Sequence, residues 1–114
     1  MNRSIILTTL LMGFTAQALA LGDVQRGEAK SASCAACHGA DGNSAAGAFP
    51  KLAGQNARYL IKQLNDVQSG NRSIPQMAGQ LDGKTAQDFE DIAAYYAAQK
   101  SSYGQANSDL VKLG

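Results

Sequence analysis

The sequence predicts a small all-α domain with long loops. Three stretches carry apolar residues at helical spacing, and no stretch shows the alternation typical of a β-strand. The segments between them are rich in glycine and polar residues. The chain has 114 residues, 6% of them aromatic and none of them tryptophan. A chain of this length holds one domain, and so few large apolar side chains leave it marginally stable unless another group fills its core.

The first twenty residues are expected to form a signal peptide. Arg3 gives a positive end, an apolar run extends to Phe14, and a small-x-small cleavage site ends at Ala20. A membrane anchor is the alternative, but this run is shorter than the roughly 20 apolar residues that a bilayer requires, and threonines interrupt it. We therefore expect that the chain is cleaved after Ala20 and that the mature protein functions outside the cytoplasm, in the periplasm of a bacterial host.

The charge of the remaining chain gives no sign of a nucleic-acid partner. Arg3 is one of ten Lys and Arg residues, so nine basic residues remain against nine acidic ones. The formal net charge after cleavage is zero, which leaves no basic field for nucleic acid.

The first two helices are predicted from their capping residues. The first runs from about residue 23 to 33, and Asp23 is placed to cap it. The second runs from about residue 56 to 69, with Asn56 as its candidate cap and Gly70 as its stop. One face of the second helix carries Leu60, Leu64 and Val67.

The third predicted helix opens at Thr85. Asp88 follows three residues later, which makes a near capping box. The apolar stripe of this helix is formed by Phe89, Ile92, Ala93 and Tyr96. Two loops, over residues 39–47 and 70–84, lie between the three helices.

The only two cysteines and the only histidine form the pattern Cys34-Ala35-Ala36-Cys37-His38, which is typical of covalent attachment of c-type haem. Two thiols three residues apart on one helical turn face the same side and can reach the two vinyl groups of a porphyrin edge. His38 then brings its imidazole beneath the iron. We expect one covalently bound haem c per chain, with His38 as an iron ligand.

Three other uses of this cysteine pair fit the sequence less well. A disulfide between Cys34 and Cys37 would close a tiny loop and would not need His38. A thioredoxin-like dithiol would require a βαβ context. A zinc site would require four ligands, and the sequence holds no second Cys/His cluster.

Met77 is the expected second axial ligand. Met1 and Met12 lie in the leader, so Met77 is the only methionine that remains. A methionine in a short domain usually fills the core, but Met77 lies in the polar segment 70–80, which contains Gly and Pro, rather than on an apolar stripe. Its thioether sulfur suits haem iron and raises the potential.

Together these residues resemble class I c-type cytochromes, and within them the short bacterial cytochrome c4/c5 group. The likeness covers about residues 22–99. The matching stretches are Cys-Ala-Ala-Cys-His-Gly at 34–39, Phe49 to Gln55, Tyr59-Leu60 with Gln63-Leu64, Gly70 with Arg72, Met77, and Asp91 to Tyr96.

This resemblance implies a small class I cytochrome c fold, in which the first and last helices cross and loops enclose the haem. Gly27 would be the small residue at the crossing. Tyr95 would pack there by resemblance, whereas the apolar stripe favours Tyr96 as the inward-facing tyrosine. The carbonyl of Pro50 would accept a hydrogen bond from the second ring nitrogen of His38.

Other implications of the resemblance concern the propionates and the tail. Gln55 and Arg72 would hold the haem propionates, or they are ordinary solvated side chains. We expect a haem domain over 21–100 and a linker-like tail over 101–114. The tail resembles the start of a second domain in two-haem cytochromes c4, and a one-haem relative, a truncated product and a fragment all fit the sequence.

These features predict an electron carrier rather than an enzyme, because His38 and Met77 leave no iron position open for substrate. By family analogy, the donor is a membrane quinol-oxidising complex and the acceptor a terminal oxidase or reductase. The apolar tail is compatible with association with a membrane complex. Two rivals remain: a haem sensor or peroxidase-like enzyme with an open sixth position and Arg72 nearby, and a subunit of a periplasmic dehydrogenase.

Overall fold

The structure, a computed structural model, describes residues 22–103, and this part of the chain contains helices and no strand. The helices are α1 (Val24–Lys30), α2 (Ala35–His38), α3 (Ala57–Ser69) and α4 (Ala86–Ala97), with a 3₁₀ turn at Pro75–Met77. The all-α prediction is confirmed. The predicted signal peptide and nearly all of the predicted tail lie outside the described residues. Among the described helices, none has the length and apolar character needed to cross a membrane.

The first predicted helix is shorter than expected. Asp23 caps α1 by accepting a hydrogen bond from the Arg26 backbone, 2.7 Å away, but the helix ends at Lys30 rather than at residue 33. The Ser31 N–H closes the last turn on the Gly27 carbonyl at 2.9 Å. Serine side chains compete with helical hydrogen bonds, and the chain turns here before it enters α2.

The predicted ends of α3 and α4 are present. The Asn56 side chain accepts from the Tyr59 N–H at 3.1 Å, and Gly70 closes α3 in the left-handed region with φ 82°. Thr85 and Asp88 form a complete capping box at the start of α4. Local polar pairs of this kind satisfy the free backbone groups at helix ends.

The crossing of α1 and α4 requires a glycine. A Cβ at Gly27 would lie 1.9 Å from the Asp91 carbonyl oxygen and 2.8 Å from the Tyr95 Cβ. The two backbones therefore approach as closely as the resemblance implied, and Tyr95 packs at the crossing.

Both candidate tyrosines face inward, but toward different neighbours. Tyr95 is 8% exposed and donates its hydroxyl hydrogen to the Ala40 carbonyl at 2.7 Å. Tyr96 is 1% exposed and faces the space between α2 and α3. The rest of the predicted α4 stripe is buried as well: Phe89, Ile92 and Ala93.

Asp91 is a buried carboxylate that the apolar stripe did not predict. Its side chain is fully enclosed and accepts from Arg26 Nε at 3.1 Å and from Lys30 Nζ at 2.6 Å. Gln87 and the Asp23 backbone N–H donate to it as well. Hydrogen bonds from Arg26, and then from Lys30, hold the pKa of Asp91 below its usual range. Asp91 therefore ties α1 to α4 through a polar cluster.

Candidate haem site

All the residues selected from the sequence as ligands or haem contacts meet at one cleft of about 330 Å³. It lies between α2, α3 and the segment that carries the 3₁₀ turn. The residues are Cys34, Cys37, His38, Pro50, Gln55, Arg72 and Met77.

Apolar side chains form most of the cleft wall. Leu60 and Leu64 come from α3, Ile92 and Tyr96 from α4. Further apolar lining comes from Phe49, Leu52, Val67, Ile74 and Leu81. Such a wall excludes water from a flat, largely apolar ligand and gains free energy from the buried surface.

The short helix α2 presents the two thiols. The N–H groups of Cys37 and His38 both bond to the Cys34 carbonyl, at 3.2 and 3.0 Å, so the motif forms one helical turn. Cys34 is partly buried and Cys37 is exposed. One thiol thus lies at the cleft wall and the other at its rim.

His38 is held in one orientation. Its Nδ1 lies 2.8 Å from the Pro50 carbonyl oxygen, and because a carbonyl can only accept, Nδ1 carries the hydrogen. That tautomer leaves the Nε2 lone pair free for a metal. The side chain is buried, with 7% of the residue exposed, and the Phe49 ring packs edge-on against it at a centroid distance of 6.4 Å.

Met77 ends the 3₁₀ turn and lines the same cleft. Its N–H bonds to the Ile74 carbonyl at 2.9 Å, and the residue is partly buried. Gln68 reaches from α3 to the other end of this loop and donates to the Leu81 and Lys84 carbonyls at 2.9 and 2.8 Å. The loop is therefore anchored on α3.

The residues present fit haem c: two thiols on one helical turn, an oriented imidazole and a thioether sulfur open onto one apolar cleft. The sequence pattern of the cytochrome c family matches residues 24–100. The chain belongs to the cytochrome c family. Membership implies covalently bound haem c, and the cysteine pair of this cytochrome is consistent with it.

Several relatives of this cytochrome are similar over long stretches. Cytochrome c4 of Pseudomonas aeruginosa is 51% identical over 114 residues, which cover all of this chain and 57% of that protein. The crystal structure of reduced recombinant cytochrome c4 from Pseudomonas stutzeri matches with a TM-score of 0.75 and 50% identity, over 80% of this chain and 53% of that one. The thiosulfate dehydrogenase electron acceptor of Stutzerimonas stutzeri is 48% identical over 63 residues, 54% of this chain and 29% of that protein.

This cytochrome spans little more than half the length of the cytochromes c4 that it matches. The likeness supports the class I cytochrome c fold for the haem domain.

The two propionate candidates lie at the rim of the cleft and are exposed. Arg72 Nη1 donates to Gln63 Oε1 at 2.5 Å, and Gln55 Oε1 accepts from the Asn56 backbone at 3.0 Å. Gln63 also lines the cleft and was not selected from the sequence. Its position three residues after Leu60, on the same helical face, was the available signal.

The sequence also did not predict two buried hydroxyl groups. Ser31 Oγ and the Tyr96 hydroxyl oxygen have no hydrogen-bond partner among the described residues. Burial raises the pKa of Tyr96 well above its usual value, so the phenol stays neutral at ordinary pH. Apolar periodicity could not reveal the Tyr96 hydroxyl, because the pattern counts Tyr96 as an apolar residue of the α4 stripe.

Proposed function

We propose that this cytochrome is a periplasmic one-electron carrier with a single haem c, whose iron is ligated by His38 and Met77. The observation that carries the proposal is the cleft itself, which joins Cys34, Cys37, His38 and Met77 within one set of apolar walls. These 114 residues hold one Cys-x-x-Cys-His pattern, which supports one haem on this part of the sequence.

The protein's part in this function is to hold the haem and to shield it from water. The thiols of Cys34 and Cys37 are placed for two thioether bonds, which keep the cofactor in a domain with a small core. Bound haem supplies one-electron exchange between Fe(III) and Fe(II). The apolar walls and a thioether ligand both favour Fe(II), so we expect a fairly positive reduction potential.

Two protein ligands distinguish a carrier from an enzyme. Pro50 orients His38, and Met77 lies on the same cleft, which supports the proposal that these two side chains would ligate the iron and leave no position for substrate. In a sensor or peroxidase-like protein, a distal polar group would face an open iron position. Arg72, the candidate for that role, is exposed and engaged with Gln63.

Export is proposed from the leader, and the partners are proposed from family analogy and one of the relatives. We propose cleavage after Ala20 and a location in the periplasm, supported by the charged end, apolar run and cleavage site. A membrane quinol-oxidising complex is the proposed donor, and a terminal oxidase or reductase the proposed acceptor. One relative is an electron acceptor of thiosulfate dehydrogenase, so a soluble or membrane-bound dehydrogenase is a second class of donor.

The test is the mass of the exported protein. We expect a chain that starts at Leu21 and carries one haem that denaturation does not remove. The double variant Cys34→Ala/Cys37→Ala should lose the haem in denaturant, whereas Ser33→Ala, beside the motif, should keep it. An unaltered protein that retains its leader would contradict export with cleavage, and one that releases its haem on denaturation would contradict thioether attachment.

A further inference from the structure

The segment that follows α4 crosses the loop on the His38 side of the cleft. We call residues 100–102 the strap. They continue from α4 without helical structure, and side chains of the loop over residues 41–51 bind them. The strap thus depends on that loop for its hydrogen bonds.

Asn43 binds the strap at two points. Its Nδ2 donates to the Lys100 carbonyl at 2.9 Å, and its Oδ1 accepts from the Ser102 N–H at 2.7 Å and from the Ser102 hydroxyl at 3.0 Å. Asp41 in turn orients Asn43, because its carboxylate accepts from both the backbone and the side-chain amide of Asn43. Both ends of the Asn43 amide are therefore used.

Lys51 binds the strap from the other end of the loop. Its Nζ donates to the carbonyl and the hydroxyl of Ser102. Lys51 directly follows Pro50, whose carbonyl accepts from His38. The backbone next to this acceptor is thereby tied to the strap.

Between these two attachments the loop has few supports of its own. The Ser44 N–H bonds to the His38 carbonyl at 2.8 Å. After it, residues 45–48 are exposed, and the hydrogen bonds found there are short-range, from Phe49 N–H and Ser44 Oγ to the Ala46 carbonyl. Beyond Lys51 the chain is fixed again, where the Leu52 N–H bonds to the Gly42 carbonyl at 2.7 Å. The position of Pro50 therefore depends in part on what holds Asn43 and Lys51.

We propose that Asn43 and Lys51 are positioning residues for His38, which act by clamping the strap to the loop that carries the Pro50 carbonyl. This inference rests on the proposed function. A hydrogen bond from His38 Nδ1–H to a carbonyl makes the imidazole a more basic ligand and favours ferric iron. Release of the strap weakens that bond, so it exposes the ring N–H to solvent exchange and raises the reduction potential.

Asn43→Ala in the haem-loaded protein is the first test. It removes both contacts to the strap without changing charge. We expect exchange of the Ser102 amide hydrogen and of the His38 ring N–H in the reduced form to quicken by roughly tenfold, and the reduction potential to rise. Asn65→Ala is the matched control, since this amide only donates to the Ile61 carbonyl within α3 at 2.8 Å, and it should change neither quantity.

A second pair of variants tests the same inference if Asn43→Ala does not fold. Lys51→Gln should quicken the same two exchange rates, and Lys51→Arg, which keeps the charge and the donors, should restore them. Lys62→Gln removes an equivalent charge from the exposed face of α3 and should leave both rates unchanged.

Two results would overturn the inference. In the first, the Ser102 amide exchanges faster in these variants while the His38 ring N–H and the potential stay as in the parent; the strap then does not position His38. In the second, Ser102 exchange itself stays unchanged, so Asn43 and Lys51 do not hold the strap. A parent protein without a low-spin spectrum would contradict the proposed function instead. Failure of the proposed function can therefore be told apart from failure of the strap inference.

Discussion

The two sides of the cleft are built differently. On the His38 side, a buried ring is held by the Pro50 carbonyl at 2.8 Å, and the surrounding loop is tied to other parts of the fold. On the other side, the partly buried Met77 lies between exposed neighbours on a 3₁₀ turn, and Gln68 anchors the far end of the loop.

This difference indicates which of the two proposed ligands is easier to release. Local stability follows the number of buried contacts and enclosed hydrogen bonds. The His38 residue is 7% exposed and its Nδ1–H is bonded to the Pro50 carbonyl, whereas Met77 is only partly buried and the side chain that donates two hydrogen bonds to its loop, Gln68, is exposed. We therefore expect the methionine side to open first under stress, with the histidine side lost only when the whole domain unfolds.

The largest expected effect comes from Gly27→Ala, which acts on the crossing of α1 and α4 and not on either side of the cleft directly. A Cβ there would lie 1.9 Å from the Asp91 carbonyl oxygen, so α1 and α4 must separate. We expect a loss of roughly 2–3 kcal/mol in unfolding free energy, measured by denaturant titration. Methionine ligation in the folded fraction should persist. Gly47→Ala, at a site where a Cβ meets open space, is the control and should cost little.

Met77→Ala tests the methionine side of the cleft on its own. The variant should leave one iron coordination position without a protein ligand. The reduction potential should fall by about 0.1 V, a modest part of the roughly 0.8 V range that axial ligands span. Redox titration gives the potential, and carbon monoxide binding to the reduced form reports the open position. An unchanged potential and spectrum would show that Met77 is not a ligand.

A smaller effect is expected from Gln68→Ala, which leaves the ligand in place and removes two donors that hold its loop. Local stability of the loop should fall by about 1–2 kcal/mol. Added imidazole should then displace Met77 several-fold more readily from the oxidised protein. Gln25→Ala, on the exposed face of α1, should bind imidazole as the parent does; equal binding by both variants would contradict the anchoring role.

Acid should unfold the whole domain by weakening the polar cluster that ties α1 to α4, while stability at neutral pH stays as it is. The hydrogen bond from Lys30 lowers the pKa of Asp88 from 3.8 to about 2, and those from Arg26 and Lys30 lower that of Asp91. Because the folded-state pKa values lie below the unfolded ones, this stability is complete above pH ~4 and is lost as the pH falls toward 2.

Lys30→Gln tests the acid prediction. It should move the midpoint of acid unfolding, followed by circular dichroism, to higher pH. Lys62→Gln, which removes an exposed i,i+4 pair with Asp66, should leave the midpoint near that of the parent, since exposed pairs contribute little. Equal midpoints in the two variants would mean that the buried cluster does not set acid stability.

The sequence predicted those parts of the fold that depend on near neighbours. Asn56, Gly70 and the pair Thr85 and Asp88 mark helix ends because each acts within one turn of its position. The attachment motif is equally local, so Cys34 to His38 could be selected without knowledge of the fold.

The remaining features depend on contacts between distant residues. Asp91 is buried because Arg26 and Lys30 approach it from a helix more than 60 positions earlier, and an apolar stripe carries no sign of such partners. The two tyrosines could not be assigned for the same reason: Tyr95 meets α1 and Tyr96 meets the cleft. The extent of the domain, the export of the chain and the role of the tail remain predictions.

The most direct test of iron held between His38 and Met77 is an absorption spectrum of the haem-loaded protein, oxidised and then reduced. We expect a low-spin spectrum with the weak red-edge band of an iron–methionine bond in the oxidised form, and no prompt carbon monoxide binding after reduction. A high-spin spectrum, or prompt carbon monoxide binding, would contradict this expectation and indicate an open site suited to sensing or catalysis.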